Sequence, residues 1–233
     1  MKLIAANLKA NHTPNSTQSY LRKLEANLQT LSPKGVEVIV FPNMASLSPN
    51  VFRHFQIGAQ NLYPARSGAF TGEIGLDVLD SLGINQVLLG HSERRQILGE
   101  EDGFILKKLE FCQEAGKKIM LCIGEATDLE SRKLEGFLAG QLRGVNLDYP
   151  GLSLAYEPVW AIGSGKVASR NHIEKVMKIL RSFGAKVCLY GGSVNSDSAK
   201  DIGEITDGIL VGNASLEASA FSRLVMQLSL IHI

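Results

Sequence analysis

Three side chains able to move a proton or carry a charge lie where apolar segments of the sequence end. Glu157 closes the segment LSLAYE, His91 closes NQVLLGH, and Lys9 comes just after KLIAAN, whose last residue is Asn7. A carboxylate can serve as a general base, and a neutral imidazole can donate a hydrogen bond to a carbonyl oxygen. A lysine supplies fixed positive charge to an anionic substrate and to a developing oxyanion. Together these residue types predict acid–base chemistry on a small anion.

The elements that must position these residues form a regular repeat. Short apolar segments rich in β-branched residues predict strands at 2–7, 36–42, 56–61, 85–91, 117–124, 152–158, 185–192 and 207–213. Most are solidly apolar, as in strands covered on both faces. Helical patterns with start and stop signals lie between them, at 16–31, 102–116, 169–184 and 215–230. The repeat runs without a linker, so we expect one (β/α)8 barrel over residues 1–233, with an open doubly wound sheet as the alternative.

In a barrel the polar residues that follow the strands share one rim, where such enzymes build their sites. Taken singly, Lys9 is an ordinary surface lysine and His91 a structural hydrogen-bonding group; a shared rim with Glu157 favours function for both. His91 stands beside a predicted helix start, with Ser92 as the possible N-cap and Glu93 in the first turn. The helix dipole there predicts a lowered pKa for His91.

Gly-rich turns follow the last two predicted strands. The sequences YGGSV and LVGNAS expose backbone N–H groups, and the second leads into a short helix. Such turns predict an anion cup made by Gly191, Gly192, Ser193, Gly212 and Asn213. Barrels often carry a phosphate site at this position.

The segment PVWAIGSGK, residues 158–166, has bulky residues in front and small ones behind. This composition suits a lid, although a static surface loop is the alternative. Closure would bring the Gly163 N–H onto a bound phosphate and Ile162 over Glu157. Desolvation would then raise the pKa of Glu157, as a general base requires. The lid residues are Pro158, Val159, Trp160, Ala161, Ile162, Gly163, Ser164, Gly165 and Lys166.

Composition argues against several classes of partner. The 233 residues carry a formal net charge of +1, which gives no footprint for nucleic acid or an anionic membrane surface. No targeting segment is recognised, and no apolar segment approaches the ~18 residues that span a bilayer. Cys112, Cys122 and Cys188 lack metal-like spacing, so we expect reduced, packed thiols in a cytoplasmic protein.

The motifs resemble the triosephosphate isomerase family along nearly the whole chain. The matching segments, in family order, are AANLKAN, GAQN, GAFTGEIG, LLGHSERR, CIGE, AYEPVWAIGSGK, LYGGSV and DGILVGNASL. The resemblance implies interconversion of dihydroxyacetone phosphate and D-glyceraldehyde 3-phosphate through an enediolate, without a metal or organic cofactor. The combination of a glutamate base, a neutral histidine and a closing loop is the established pattern of this family.

The resemblance also implies individual roles. Glu157 would move the carbon-bound proton, and His91 would polarise the carbonyl. Lys9 and Asn7 would stabilise negative charge, with Glu93 supporting Lys9. Backbone N–H groups at Gly163, Ser193, Gly212 and Asn213 would hold the phosphate, while Ile162 and Leu210 would clamp the base. The segment ARSGAFTGE resembles the family's third loop, so Phe70, Thr71 and Gly72 would contact a second copy of the chain in a homodimer.

The sequence departs from the family pattern at a few places. Leu8 and Ala10 replace bulkier residues around Lys9, which predicts looser packing there. Asn213 stands where glycine is usual, which predicts a changed backbone strain. Val167 replaces a common threonine at the rear of the lid, and a shortened 125–150 region predicts a trimmed or irregular helix.

Two other functions remain open from the sequence. Glu125 and Glu157 both end strands and could be the carboxylate pair of a barrel glycosidase. Alternatively, the barrel could bind a phosphometabolite without catalysis. The family resemblance instead makes Glu125 structural, bracing the front of the lid near Trp160.

Overall fold

The computed structural model describes residues 1–127, 129–161 and 168–229, apart from the side chains of residues 131, 132, 196 and 197. Its centre is a closed barrel of parallel strands that pair in chain order, with the last strand also paired to the first. The strands are β1 (Lys2–Asn7), β2 (Val36–Phe41), β3 (Gln56–Ala59), β4 (Gln86–Leu89), β5 (Lys118–Ile123), β6 (Leu152–Tyr156), β7 (Cys188–Tyr190) and β8 (Gly208–Val211). The barrel prediction is therefore confirmed, and the open sheet is wrong.

Helices surround this barrel. They are α1 (Pro14–Leu31), α2 (Leu76–Ser81), α3 (Ser92–Gln96), α4 (Asp102–Glu114), α5 (Ser131–Gln141), α6 (Arg170–Ser182), α7 (Ser196–Ile205) and α8 (Ala218–Ser229). Two helices follow β4, whereas only a 3-10 turn at Met44–Ser46 lies between β2 and β3. The region predicted to be irregular contains α5, a regular helix of 11 residues.

Local signals explain where the helices begin. Thr13 caps α1 by accepting a hydrogen bond from the Ser16 N–H, and Ser16 returns one to the Thr13 backbone. Pro14 is the first helical residue, where its missing N–H is of no consequence. Ser169 caps α6 in the same way, through the N–H of His172. The predicted starts of these two helices are thus within two residues of the observed ones.

The apolar strands are buried on both faces, as their solid pattern predicts. The barrel interior is filled by a small cluster of side chains: Ala5, Ile39, Phe41, Leu88, Met120, Cys122, Ala155, Leu189 and Leu210. A larger cluster fills the space between strands and helices. Of the two residues where looser packing is predicted, Leu8 is fully buried in that larger cluster, whereas Ala10 is exposed.

All three cysteines are buried and unpaired. Burial raises the pKa of the Cys112 and Cys188 thiols to about 12, because a thiolate is poorly solvated there. These thiols pack as small apolar groups, as predicted. Over the part of the chain that the structure describes, no helix is long and apolar enough to cross a membrane.

Candidate active site

A cavity of about 290 Å³ opens at the rim formed by the carboxyl ends of the strands. Most of the predicted site residues line it, and they come from the ends of β1, β4, β6, β7 and β8. The lining consists of Asn7, Lys9, His91, Glu157, Gly191, Gly192, Ser193, Val194, Asn195, Leu210, Gly212, Asn213 and Ala214. The structure therefore brings together residues that are widely separated in sequence.

Lys9 is held in an unusual backbone conformation beside this cavity. Its φ is 53°, in the left-handed region, which costs of order 1 kcal/mol for a residue with a side chain. Its N–H donates to Asn7 Oδ1 at 3.0 Å, and the Gln60 amide donates to its carbonyl oxygen at 2.9 Å. The ammonium contacts Glu93 Oε1 at 2.5 Å. Contacts on the backbone and the side chain thus fix this cation at the cavity, unlike an ordinary surface lysine.

His91 lies at the start of α3, but it caps the helix itself. Its Nδ1 accepts a hydrogen bond from the Glu93 N–H at 3.3 Å, so His91 is the N-cap and the prediction for Ser92 is wrong. Ser92 is the first residue of α3, and its N–H donates to Glu157 Oε2 at 3.0 Å. Because Nδ1 accepts, we assign the imidazole proton to Nε2, which lies 3.1 Å from Glu157 Oε1.

The contact with Glu157 reverses the predicted direction of the His91 pKa. Burial lowers that pKa, but the negative charge of Glu157 and its hydrogen bond outweigh burial, and the pKa is raised. The prediction of a lowered value is wrong for this arrangement. The prediction rests on the short helix that follows His91. It omits Glu157, which is distant in sequence but adjacent in space.

Glu157 is 2% exposed and is fixed at both carboxylate oxygens. Burial raises its pKa, but the charge of His91 and the hydrogen bonds from His91 and Ser92 outweigh burial, so the pKa is lowered. The predicted raised pKa belongs to a closed lid and stays a prediction. That prediction depends on lid residues 162–166, which lie outside the described residues.

Glycines make room for Glu157. A methyl group added at Gly191 would lie 2.8 Å from Glu157 Cγ, and one added at Gly124 would lie 1.9 Å from the Glu157 carbonyl oxygen. Both distances are shorter than a normal contact. Gly191, predicted only as part of the anion cup, thus also sets the position of the carboxylate.

The turns after β7 and β8 form the other side of the cavity. Asn213 begins a 3-10 turn, Asn213–Ser215, so the first N–H groups of that turn lack partners within it. A methyl group added at Gly212 would lie 3.4 Å from Lys9 Cε, which shows how near the cation is to this turn. Among the described residues other than glycine, only Lys9, His12 and Ser32 have positive φ, so the strain expected at Asn213 is absent.

The front of the predicted lid is tied to its surroundings. Val159–Ala161 forms a 3-10 turn, and the Trp160 indole N–H donates to Glu125 Oε1 at 2.8 Å. Ser193 Oγ donates to the Ala161 carbonyl oxygen at 2.6 Å. Glu125 therefore braces Trp160 as predicted. It does not line the 290 Å³ cavity with Glu157, which argues against a glycosidase pair.

Several residues near the site were missed from the sequence. The Tyr190 hydroxyl accepts a hydrogen bond from the Ala168 N–H at 3.2 Å, behind the lid segment. The Tyr156 hydroxyl contacts Glu125 and His172. Tyr156 is the last residue of β6 and directly precedes Glu157, and the alternation of side chains along a strand places the two on opposite faces. That alternation is a signal that could have assigned Tyr156 to the helix side of the base.

The predicted dimer segment presents apolar surface. Phe70 is 40% exposed and its ring lies 4.1 Å from that of Tyr63, while Gly72 has a φ of 90°. Val78, Ile97 and Leu98 are also exposed large apolar residues.

A closed (β/α)8 barrel with a buried carboxylate, an imidazole and a fixed ammonium around one cavity defines a barrel enzyme of acid–base chemistry. Comparison with known proteins is more specific. The triosephosphate isomerase family model matches residues 2–228. The chain is 42% identical to the triosephosphate isomerase of Helicobacter hepaticus, over 97% of this chain and 98% of the relative. Identity to the enzyme of Sulfurovum sp. (strain NBC37-1) is 43%, over 96% and 99%. The chain belongs to the triosephosphate isomerase family.

Proposed function

We propose that Glu157, His91, Lys9 and Asn7 carry out the reaction of the triosephosphate isomerase family in this chain. As a member of that family, the chain is an isomerase that interconverts dihydroxyacetone phosphate and D-glyceraldehyde 3-phosphate, a step of glycolysis. The observation that supports the assignment of roles is the contact of Glu157 with His91 at 3.1 Å inside the cavity that Lys9 also lines. Neither a non-catalytic binding barrel nor a glycosidase accounts for family membership.

In the proposed mechanism the substrate carbonyl oxygen takes the place of Glu157 Oε1 as the acceptor of the His91 Nε2–H. The freed carboxylate removes a proton from carbon 1 of dihydroxyacetone phosphate, and the electron pair of that C–H bond forms the enediolate. Glu157 then returns the proton to carbon 2. The proton of the carbon 1 hydroxyl passes to the oxygen on carbon 2, so carbon 1 becomes the aldehyde and carbon 2 carries the new hydroxyl group. The net result is an aldehyde isomer of the same composition.

Charge stabilisation comes from Lys9 and Asn7. The ammonium lies beside the cavity and is oriented by Glu93 before any substrate enters, so it requires no reorganisation as negative charge develops. The Asn7 side chain fixes the Lys9 backbone by accepting its N–H. Glu93 also donates its backbone N–H to His91 Nδ1, which keeps the proton on Nε2. One turn thus orients both the cation and the imidazole.

The phosphate group is proposed to bind the backbone N–H groups of Ser193, Gly212 and Asn213, with Gly163 completing the site from the lid. Three of these residues line the cavity next to Lys9, and Gly163 lies outside the described residues. Leu210, a buried residue of β8, is proposed to pack against the base, with Ile162 of the lid on the other side. Holding the phosphate also restrains an intermediate that could otherwise eliminate it.

The whole chain, residues 1–233, is proposed to act as one catalytic domain in the cytoplasm, without a metal or organic cofactor. Proton transfers and hydrogen bonds suffice for the chemistry above, so activity should survive extensive dialysis against a chelator. The buried free thiols fit a reducing compartment.

We also propose a homodimer whose contact surface includes Phe70, Thr71 and Gly72. The support is the exposed apolar surface at Phe70 and Val78. Ile97 and Leu98 add exposed apolar surface just after α3, which carries Glu93. A dimer surface that also reached Ile97 and Leu98 would cover the helix that orients Lys9.

The experiment that tests the assignment compares the parent with Glu157→Gln. Conversion of D-glyceraldehyde 3-phosphate is coupled to NADH oxidation by a dehydrogenase that reduces dihydroxyacetone phosphate. Removing the base should lower kcat by at least the ~10²–10⁴-fold typical of general acid–base catalysis, while phosphate binding is retained. Equal turnover in the two proteins would refute the role of Glu157.

A further inference from the structure

A polar cluster behind the catalytic base consists of Glu125, Tyr156, Trp160 and His172. The Tyr156 hydroxyl donates to Glu125 Oε1 at 2.8 Å, and the Trp160 indole N–H donates to the same oxygen at 2.8 Å. Tyr156 immediately precedes Glu157, and Trp160 follows it by three residues. One carboxylate oxygen therefore anchors the chain on both sides of the proposed base.

His172 adds a third contact from a different element. Its Nε2 lies 2.8 Å from the Tyr156 hydroxyl oxygen, and its ring meets the Trp160 ring edge-on, with centroids 5.6 Å apart. Ser169 fixes the residue at the start of α6 by accepting the His172 backbone N–H. The side chain thus reaches from α6 to both aromatic residues that flank the base.

The hydrogen-bond chemistry sets the direction of these contacts. A tyrosine hydroxyl has one proton, and a carboxylate oxygen can only accept, so the Tyr156 proton points at Glu125. The hydroxyl oxygen must then accept from His172, which places a proton on Nε2. By donating to the hydroxyl oxygen, His172 favours the orientation in which the Tyr156 proton points at Glu125 Oε1. The same oxygen accepts the Trp160 N–H.

We propose that His172 is a positioning residue for the isomerase reaction. Its Nε2–H orients the Tyr156 hydroxyl, and through Glu125 it holds the backbone on both sides of Glu157. In this role His172 does not contact the substrate. This inference rests on the proposed role of Glu157 as the base.

Two substitutions separate the hydrogen bond from the ring packing. His172→Phe keeps an aromatic ring against Trp160 but removes the donor, whereas His172→Gln keeps an amide donor of similar reach. We expect His172→Phe to lower kcat roughly fivefold, about the effect of one neutral hydrogen bond, with little change in KM. His172→Gln should recover most of the loss. His54→Phe is the matched control, because His54 contacts Glu25 beside β3 and is not part of the cluster.

A double-mutant cycle with Tyr156→Phe tests the coupling. Tyr156→Phe removes the acceptor, so it should lower kcat at least as much as His172→Phe does. Adding His172→Phe to Tyr156→Phe should then change kcat no further. Additive effects, or parent-like kcat in His172→Phe, would overturn the proposal. If His172→Phe does not fold by circular dichroism, parent-like kcat in Tyr156→Phe overturns it equally.

Fluorescence gives a readout that does not need turnover. The chain contains one tryptophan, so emission reports Trp160 alone. We expect His172→Phe and Tyr156→Phe to change its emission non-additively, His172→Gln to restore it, and His54→Phe to leave it unchanged. Non-additive emission with an inactive parent would refute the proposed function while leaving the cluster intact. Non-additive emission with unchanged kcat in an active enzyme would refute the positioning role.

Discussion

Gly191→Ala offers a direct test of how closely the base must be placed. The added methyl group would lie 2.8 Å from Glu157 Cγ, whereas carbon atoms in normal contact lie about 3.5–4.0 Å apart. The side chain of Glu157 must therefore move by roughly 1 Å. Gly191 is not among the glycines with positive φ, so alanine adds no backbone strain of that kind.

A displacement of about 1 Å of a reacting group can lower the rate by ~10²-fold. We expect Gly191→Ala to lower kcat by about this factor, with a smaller effect on KM because the phosphate is proposed to bind the N–H groups of Ser193, Gly212 and Asn213. The coupled isomerase assay measures both constants. Overpacking should also lower the free energy of unfolding by ~1–3 kcal/mol, which urea denaturation checks.

The matched control is Gly103→Ala in α4. A methyl group added there has nothing within 4 Å, so activity should be unchanged and stability should not fall. A folded Gly191→Ala protein with the parent kcat would refute the reasoning that Gly191 sets the position of Glu157.

Three other perturbations test the remaining parts of the site. Lys9→Met should reduce both substrate affinity and kcat, because the cation is proposed to contact substrate and transition state alike. Lys23→Met is the control and should change neither, since that side chain is 54% exposed. Phe70→Asp should produce monomers in sedimentation experiments while Phe137→Asp, at another exposed phenylalanine, keeps the dimer; an unchanged sedimentation coefficient would contradict the proposed interface. Because the reaction needs a neutral His91 and an ionised Glu157, kcat/KM should fall as pH drops through the raised pKa of His91, and His91→Gln should abolish this fall, leaving only a loss of activity at lower pH, where Glu157 takes up a proton. Contacts lower the pKa of Glu157 in the folded protein, so its ionised carboxylate stabilises the fold above pH 4.5, and this stabilisation disappears as pH falls through the lower native pKa. Acid unfolding of the parent and of Glu157→Gln measures the effect.

Particular residues show what the sequence could predict and what it could not. The solid apolar segment at β1 predicted the observed bounds, whereas other strands end before the glycine or polar residues included in their predictions. Serine is a strong capping residue, which predicts Ser92 as the cap, but the His91 side chain caps α3 and Ser92 is the first helical residue. Contacts between residues far apart in sequence decide the pKa directions. No local pattern shows that His172 and Tyr156 meet.

The pKa predictions for His91 and Glu157 both omitted the same contact. Each considered burial or the helix start alone, while the free site pairs His91 directly with Glu157. In this pair the carboxylate raises the His91 pKa and the imidazole lowers the Glu157 pKa, both unfavourable for a neutral acid and a strong base. When a substrate carbonyl replaces Glu157 Oε1 on Nε2, as proposed, we expect this mutual effect to weaken and burial to weigh more, while the Ser92 N–H still contacts Glu157. Burial raises the pKa of a carboxylate and lowers that of an imidazole, so we propose that the entry of substrate shifts both pKa values in the direction that the reaction requires.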